Sequence, residues 1–151
     1  MRAPPSPLTL SPPRPRFNPK GGERNAVAVA HDVRGPYRAT ANVTAGASGA
    51  EDPAIFQVPG QSAGLAHLLY HNGPHGYHTW GPLDGSAPWR LSPTGSFAFT
   101  LNVTTTAGDV VHLARRERPE LLFRADGSPF ALLSGVIGPD ASAFSLYEAI
   151  A

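Results

Sequence analysis

Apolar and polar residues alternate along several short stretches of the chain, with the period of two that a half-buried β-strand produces. The clearest stretch lies in residues 95–106, where one face collects Phe97, Phe99, Leu101 and Val103. A short polar turn at 107–109 separates it from the apolar stretch 110–117. Two such stretches joined by a short turn predict a β-hairpin.

Further apolar stretches have the length of strands. They cover residues 25–32, 53–58, 64–71, 120–123, 130–137 and 143–150. The long segment 72–89 is rich in Gly, Pro, His and aromatic residues and predicts a loop that contains one or two strands. Turn signals recur roughly every 8–12 residues and no amphipathic helix is evident, so the pattern predicts an all-β fold. Sandwich, barrel and propeller architectures all remain open at this point.

The proline-rich segment 1–24 differs from the rest of the chain. Proline fixes φ and removes a hydrogen-bond donor, so this head is expected to be extended and loosely ordered. The sequence therefore predicts two parts, a head of residues 1–24 and a β-domain of residues 25–151.

Composition excludes several classes of function. The formal net charge is +1, which favours neither a nucleic acid nor an anionic membrane as partner. Cysteine is absent, which excludes disulfides and thiolate metal sites. Asn42 and Asn102 each begin an N-x-[ST] sequon, but the first residues lack the apolar segment of a secretory signal. The location of the protein stays open, with secretion as one option.

Four motifs follow one another along the chain and point to a family. They are AVAVAHDVRGPY at 26–37, GAEDPAIF at 49–56, HGYHTWGPLDGSAPW at 75–89 and RRERPELLFRADGSPFALLSGV at 115–136. Each resembles a segment of the five-bladed β-propeller glycosidases of the arabinanase and β-xylosidase group. The resemblance covers residues 25–151 and implies a partial five-bladed propeller. One blade takes about 40–50 residues, so the chain has room for about three blades and resembles a shortened or fragmentary member.

The resemblance implies roles for two carboxyl groups. Glu117 matches the general acid of the glycosidases, and Asp52 matches the carboxylate that orients and tunes that acid. Hydrolysis of a glycoside usually needs a second carboxyl as base or nucleophile. The first-blade acid that serves this purpose has no counterpart here, and Asp32 is a weak substitute.

Structural interpretations of both acids remain open beside the catalytic ones. Glu117 could form salt bridges at the edge of a blade, and Asp52 could cap its own turn. Arginines that faced Glu117 would favour its charged form, which is unfavourable for a general acid. Strand alternation predicts that Arg116 and Arg118 face away from Glu117, and that Glu51 faces away from Asp52.

A group of aromatic and polar residues is predicted to bind the sugar, since aromatic faces pack on the C–H faces of sugar rings. The predicted substrate-binding residues are Trp80, Trp89, His71, His75, Tyr77, Arg116 and Arg118. Packing between blades is the alternative for either tryptophan. A zinc site formed by the clustered histidines is conceivable, but a spacing of four shares one face only on a helix. No metal and no cofactor are therefore expected.

The sequence thus predicts a carbohydrate-active propeller protein that hydrolyses O-glycosidic bonds if its catalytic set is complete. Its expected ligand is an oligosaccharide or a polysaccharide. The alternatives are a non-catalytic carbohydrate-binding or interaction module and an inactive truncated fragment.

Overall fold

A computed structural model describes residues 25–43, 49–62, 64–92 and 97–150. The predicted head, 1–24, lies outside these residues. All regular elements in the described part are strands. In chain order they are β1 (Ala26–Val29), β2 (Arg38–Asn42), β3 (Glu51–Phe56), β4 (Leu65–Asn72), β5 (His75–Pro82), β6 (Arg90–Leu91), β7 (Asn102–Thr104), β8 (Val110–His112), β9 (Arg115–Phe123), β10 (Pro129–Ile137) and β11 (Ala143–Ala149).

The strands form four antiparallel sheets. The two larger sheets have the orders β3-β4-β5-β6 and β11-β10-β9, and the two hairpins β1-β2 and β7-β8 complete the set. The prediction of an all-β fold is confirmed. Within the described residues the sheets do not close into a barrel or a complete propeller. A search of the same residues finds no helix long and apolar enough to cross a membrane.

Several strands differ from the sequence prediction for identifiable reasons. β2 extends to Asn42, although residues 41–49 are small and polar, a composition typical of a loop. β9 runs without a break through Pro119, because this proline lies in a bulge and does not need its missing N–H for the ladder. The predicted strand at 95–106 is reduced to β7, and Phe99 contributes only an isolated bridge to Gly76. Residues 95 and 96 lie outside the described part.

A small apolar cluster joins the two larger sheets. Leu69 of β4, Leu132 of β10 and Phe99 are buried together, and Phe56 and Leu121 pack against them. This contact holds β9 beside β3 and β4. The first strand of each large sheet therefore faces the other across a shared boundary, and the candidate site lies there.

Candidate functional site

Two bulges face each other across the boundary between β3 and β9. One interrupts the pairing of β3 at Asp52, and the other interrupts the pairing of β9 at Arg118. Both residues have a positive φ, 49° for Asp52 and 54° for Arg118. Non-glycine residues seldom adopt this left-handed region, and such conformations tend to cluster at functional sites.

The guanidinium of Arg118 connects the two predicted catalytic acids. Its Nε lies 3.8 Å from Asp52 Oδ2, and its Nη2 lies 3.7 Å from Glu117 Oε1. Since a guanidinium is a small rigid fork, the two carboxylates lie no more than about 10 Å apart. Both predicted acids therefore contact the same arginine at the boundary of the two sheets.

Glu117 is mostly enclosed, with 13% of its side chain exposed. Its Oε2 forms an ion pair with Arg115 Nε, but no donor in the described part is aligned for a hydrogen bond with this oxygen. The prediction that Arg118 faces away from Glu117 is wrong, because the bulge cancels the alternation on which it depended. Glu117 thus contacts two arginines, both largely exposed.

His71 lies on the other side of Asp52. Its imidazole is buried between two carboxylates, with Nε2 3.5 Å from Glu51 Oε2 and Nδ1 3.6 Å from Asp52 Oδ2. The expectation that Glu51 and Asp52 face opposite sides is wrong, because a bulge interrupts the alternation of side chains here as well. The bulge in β3 turns both acids toward His71. Sequence reasoning had placed His71 among sugar contacts, whereas its neighbours are acids of the site.

Arg116 is buried and is hydrogen-bonded within the fold. Its side chain is 1% exposed and donates hydrogen bonds to Ser134 Oγ, to the Thr100 carbonyl and to Glu148 Oε2, the last at 2.6 Å. Its guanidinium also lies over the Phe99 ring, 4.7 Å from the centroid. The predicted contact of Arg116 with a sugar is not possible in this structure, because the side chain has no exposed surface to offer.

Two grooves open beside the ion cluster. The β3–β9 groove has a volume of about 560 Å³ and is lined by residues 52–56 and 118–121 together with Phe123. The β9–β11 groove, of about 270 Å³, is lined by Arg115, Glu117, Arg118 and parts of β10 and β11. Arg118 lines both grooves, whereas Asp52 lines only the first and Glu117 only the second. The guanidinium of Arg118 therefore separates the two acids.

The tryptophans lie away from both groove linings. Trp89 is 6% exposed, and its indole N–H donates to the Pro82 carbonyl, which fits the packing alternative. Trp80 is half-buried, with the guanidinium of Arg90 5.4 Å from its ring.

The remaining predicted contacts also have partners within the fold. His75 stacks on Phe97 with 3.6 Å between ring centroids, and Tyr77 stacks on Tyr70 at 5.6 Å. Asp32, the weak substitute for a base, lies in a turn, where its hydrogen bonds with Arg34 lower the pKa of its carboxyl.

A pair of hydrogen-bonded histidines was missed by sequence reasoning. His67 Nδ1 lies 3.0 Å from His78 Nε2, and His67 Nε2 lies 2.6 Å from Gln61 Oε1. The His67 ring stacks on Phe56, which lines the β3–β9 groove. In the sequence, His67 and His78 belong to the same cluster as His71. The register of β4 and β5 shows that His67 and His78 lie close together and that His71 lies opposite Gly76 instead. Among the described residues, no group of three potential ligand side chains could hold a metal ion.

The fold and the site together define an all-β protein with an ion cluster between the first strands of two sheets. Comparison with known proteins adds nothing to this description: no family model fits the sequence, and no curated protein or solved structure matches it significantly.

Proposed function

We propose that this chain is a carbohydrate-active protein of the propeller glycosidase type that hydrolyses O-glycosidic bonds, with Glu117 as the general acid and Asp52 as the carboxylate that orients and tunes it. One observation carries the proposal: both carboxylates, from strands of different sheets, contact the guanidinium of Arg118. In this proposal Asp52 influences Glu117 through the guanidinium that both carboxylates contact.

The sheet arrangement supports part of a propeller. β3 to β6 form a four-stranded antiparallel meander, which is the composition of one blade. β9 to β11 have the order of the first three strands of another such meander. The first strands of successive blades line a central channel in a propeller. The neighbouring positions of β3 and β9 correspond to that arrangement, with the site at their boundary.

The groove chemistry supports a carbohydrate ligand. The β3–β9 groove combines charged hydrogen-bonding groups at Asp52, Arg118 and Glu120 with two aromatic rings, Phe56 and Phe123. Sugars require both, because their hydroxyl groups form hydrogen bonds and their C–H faces pack on aromatic rings. In the proposed reaction, Glu117 protonates the leaving oxygen as the glycosidic C–O bond breaks, and a water molecule adds to the anomeric carbon and gives its proton to the solvent. Asp52 orients the acid and tunes its charge.

A second function, carbohydrate binding without hydrolysis, is favoured by a specific observation. Arg115 and Arg118 both contact Glu117, an arrangement that structural ion-pair networks also produce. In this case the grooves bind a carbohydrate, but Glu117 remains in its ion pairs with Arg115 and Arg118 and does not protonate the ligand.

The test measures hydrolysis of phenyl α-L-arabinofuranoside and phenyl β-D-xyloside, whose basic leaving oxygens need protonation, by the wild type and two variants. We expect Glu117→Gln to lose about 100-fold or more in kcat, since general acid catalysis contributes that much. Asp52→Asn should lose about tenfold, because it acts through Glu117.

Asp109→Asn is the control, because Asp109 is an exposed acid of the turn between β7 and β8 and lies outside the linings of both grooves. It should change kcat less than about threefold. Equal rates for Glu117→Gln and wild type would contradict the hydrolytic proposal. Binding of arabino- or xylo-oligosaccharides by a wild type that hydrolyses neither glycoside would establish the second function.

A further inference from the structure

His71 is placed by strand pairing directly opposite Glu51. The two residues are register partners of β4 and β3, so their side chains share one face. Asp52 follows Glu51 and would face the other way in a regular strand. Its φ of 49° and the bulge instead bring its carboxylate to the same imidazole.

The conformation of Asp52 needs support from its surroundings. Asp tolerates the left-handed region better than most residues, but Pro53 restricts the residue that precedes it. Such a conformation persists when neighbouring groups hold it in place. The groups within ion-pair distance of its Oδ2 are His71 on one side and Arg118 on the other.

The burial of His71 also calls for an explanation. Its side chain is 7% exposed, and its Nδ1 is enclosed without a hydrogen bond. Burying an unsatisfied nitrogen destabilises a fold, so such a group in a native structure usually has a role. Among the described residues, the charged groups within ion-pair distance of its ring are Glu51 and Asp52, and Arg118 lies behind Asp52.

From this geometry we infer that His71 is a positioning residue for Asp52: anchored by Glu51, its imidazole holds the Asp52 carboxylate against Arg118. The contacts then form one continuous series from Glu51 through His71, Asp52, Arg118 and Glu117 to Arg115. The expected effect of His71 on the rate of hydrolysis rests on the proposed function, whereas its effect on the position of Asp52 does not.

The first experiment reads the position of Asp52 without activity. The ¹³C-carboxyl resonance of Asp52 is recorded in aspartate-labelled full-length protein and assigned with Asp52→Asn. We expect His71→Phe to shift this resonance, because it removes both ring nitrogens. His71→Gln should shift it less, since the amide can still donate to a carboxylate. His112→Phe is the control, because His112 is exposed and bonds to Asn102 instead.

The second experiment measures hydrolysis of the same aryl glycosides by these variants. A misplaced reacting group can lower a rate by up to about 100-fold. We expect kcat of His71→Phe to fall about tenfold or more with KM changed less than threefold, and His71→Gln to recover part of the loss.

The two experiments separate the two proposals. An Asp52 resonance that is unchanged in both His71 variants would overturn the inference, whatever the activity. A shifted resonance in a protein that hydrolyses no glycoside would support the placement of Asp52 and contradict the hydrolytic function. If His71→Phe does not fold, His71→Gln against wild type decides the first experiment.

Discussion

The two faces of β9 use the same residue type for different purposes. On one face, Arg116 is buried, with hydrogen bonds to Ser134 and Glu148. Two residues further on, the Arg118 side chain is 73% exposed and approaches Asp52 and Glu117 at distances longer than hydrogen bonds. The side-chain partners Ser134 and Glu148 of Arg116 lie in the same sheet, whereas Arg118 reaches Asp52 of the neighbouring sheet.

The difference follows from the regularity of the ladder. Up to Glu117, β9 pairs with β10 residue by residue, and alternation sends Arg116 into the protein. The bulge that follows releases the strand from this alternation and turns Arg118 toward Asp52. A regular ladder thus produces the structural ion pair, and an interrupted one produces the candidate site.

The largest expected effect is a loss of stability when the buried Arg116 is replaced. Arg116→Ala should lower the free energy of unfolding by about 3 kcal/mol, because it breaks a largely buried ion pair and removes packing over Phe99. Urea denaturation followed by circular dichroism measures the change.

Arg115→Ala is the control from the same strand, since the Arg115 side chain is 60% exposed. It should cost less than about 1 kcal/mol. Similar losses for the two variants would remove the distinction between the structural and the exposed arginines.

This comparison also explains what the sequence could and could not predict. The period of two located most strands, and Asp126-Gly127, a residue pair typical of hairpin turns, joins β9 to β10. The choice of Asp52 and Glu117 as the two candidate acids came from the order of the motifs along the sequence. The orientations of Glu51 and Arg118 could not be predicted, because a bulge shifts the alternation by one residue and leaves little trace in composition.

The second prediction measures the strain at Arg118. At a left-handed position glycine avoids the steric cost of a side chain, so Arg118→Gly should be more stable than Arg118→Ala by about 1 kcal/mol. At Arg115, where the strand is regular, the order should reverse, because glycine weakens a strand. Unfolding free energies of the four variants provide the comparison, and the same order at both positions would contradict the strain at Arg118.

The smallest effect concerns His67 and His78, which bond to each other across the regularly paired strands β4 and β5. Burial lowers the pKa of both rings, and the charge of His67 lowers that of His78 further. The folded protein therefore binds fewer protons at these sites than the unfolded chain. Their stabilising contribution is complete above about pH 6.5 and is lost as the pH falls below it.

We therefore expect the wild type to melt at a lower temperature at about pH 5.5 than at about pH 7.5, and His78→Gln to show a smaller difference. Arginine does not titrate in this range, so Arg116→Ala should keep the pH dependence of the wild type at a lower overall stability. His112→Gln, which alters an exposed histidine, should also keep it. If His78→Gln retained the full pH dependence, the half-buried pair of His67 and His78 would not be its source.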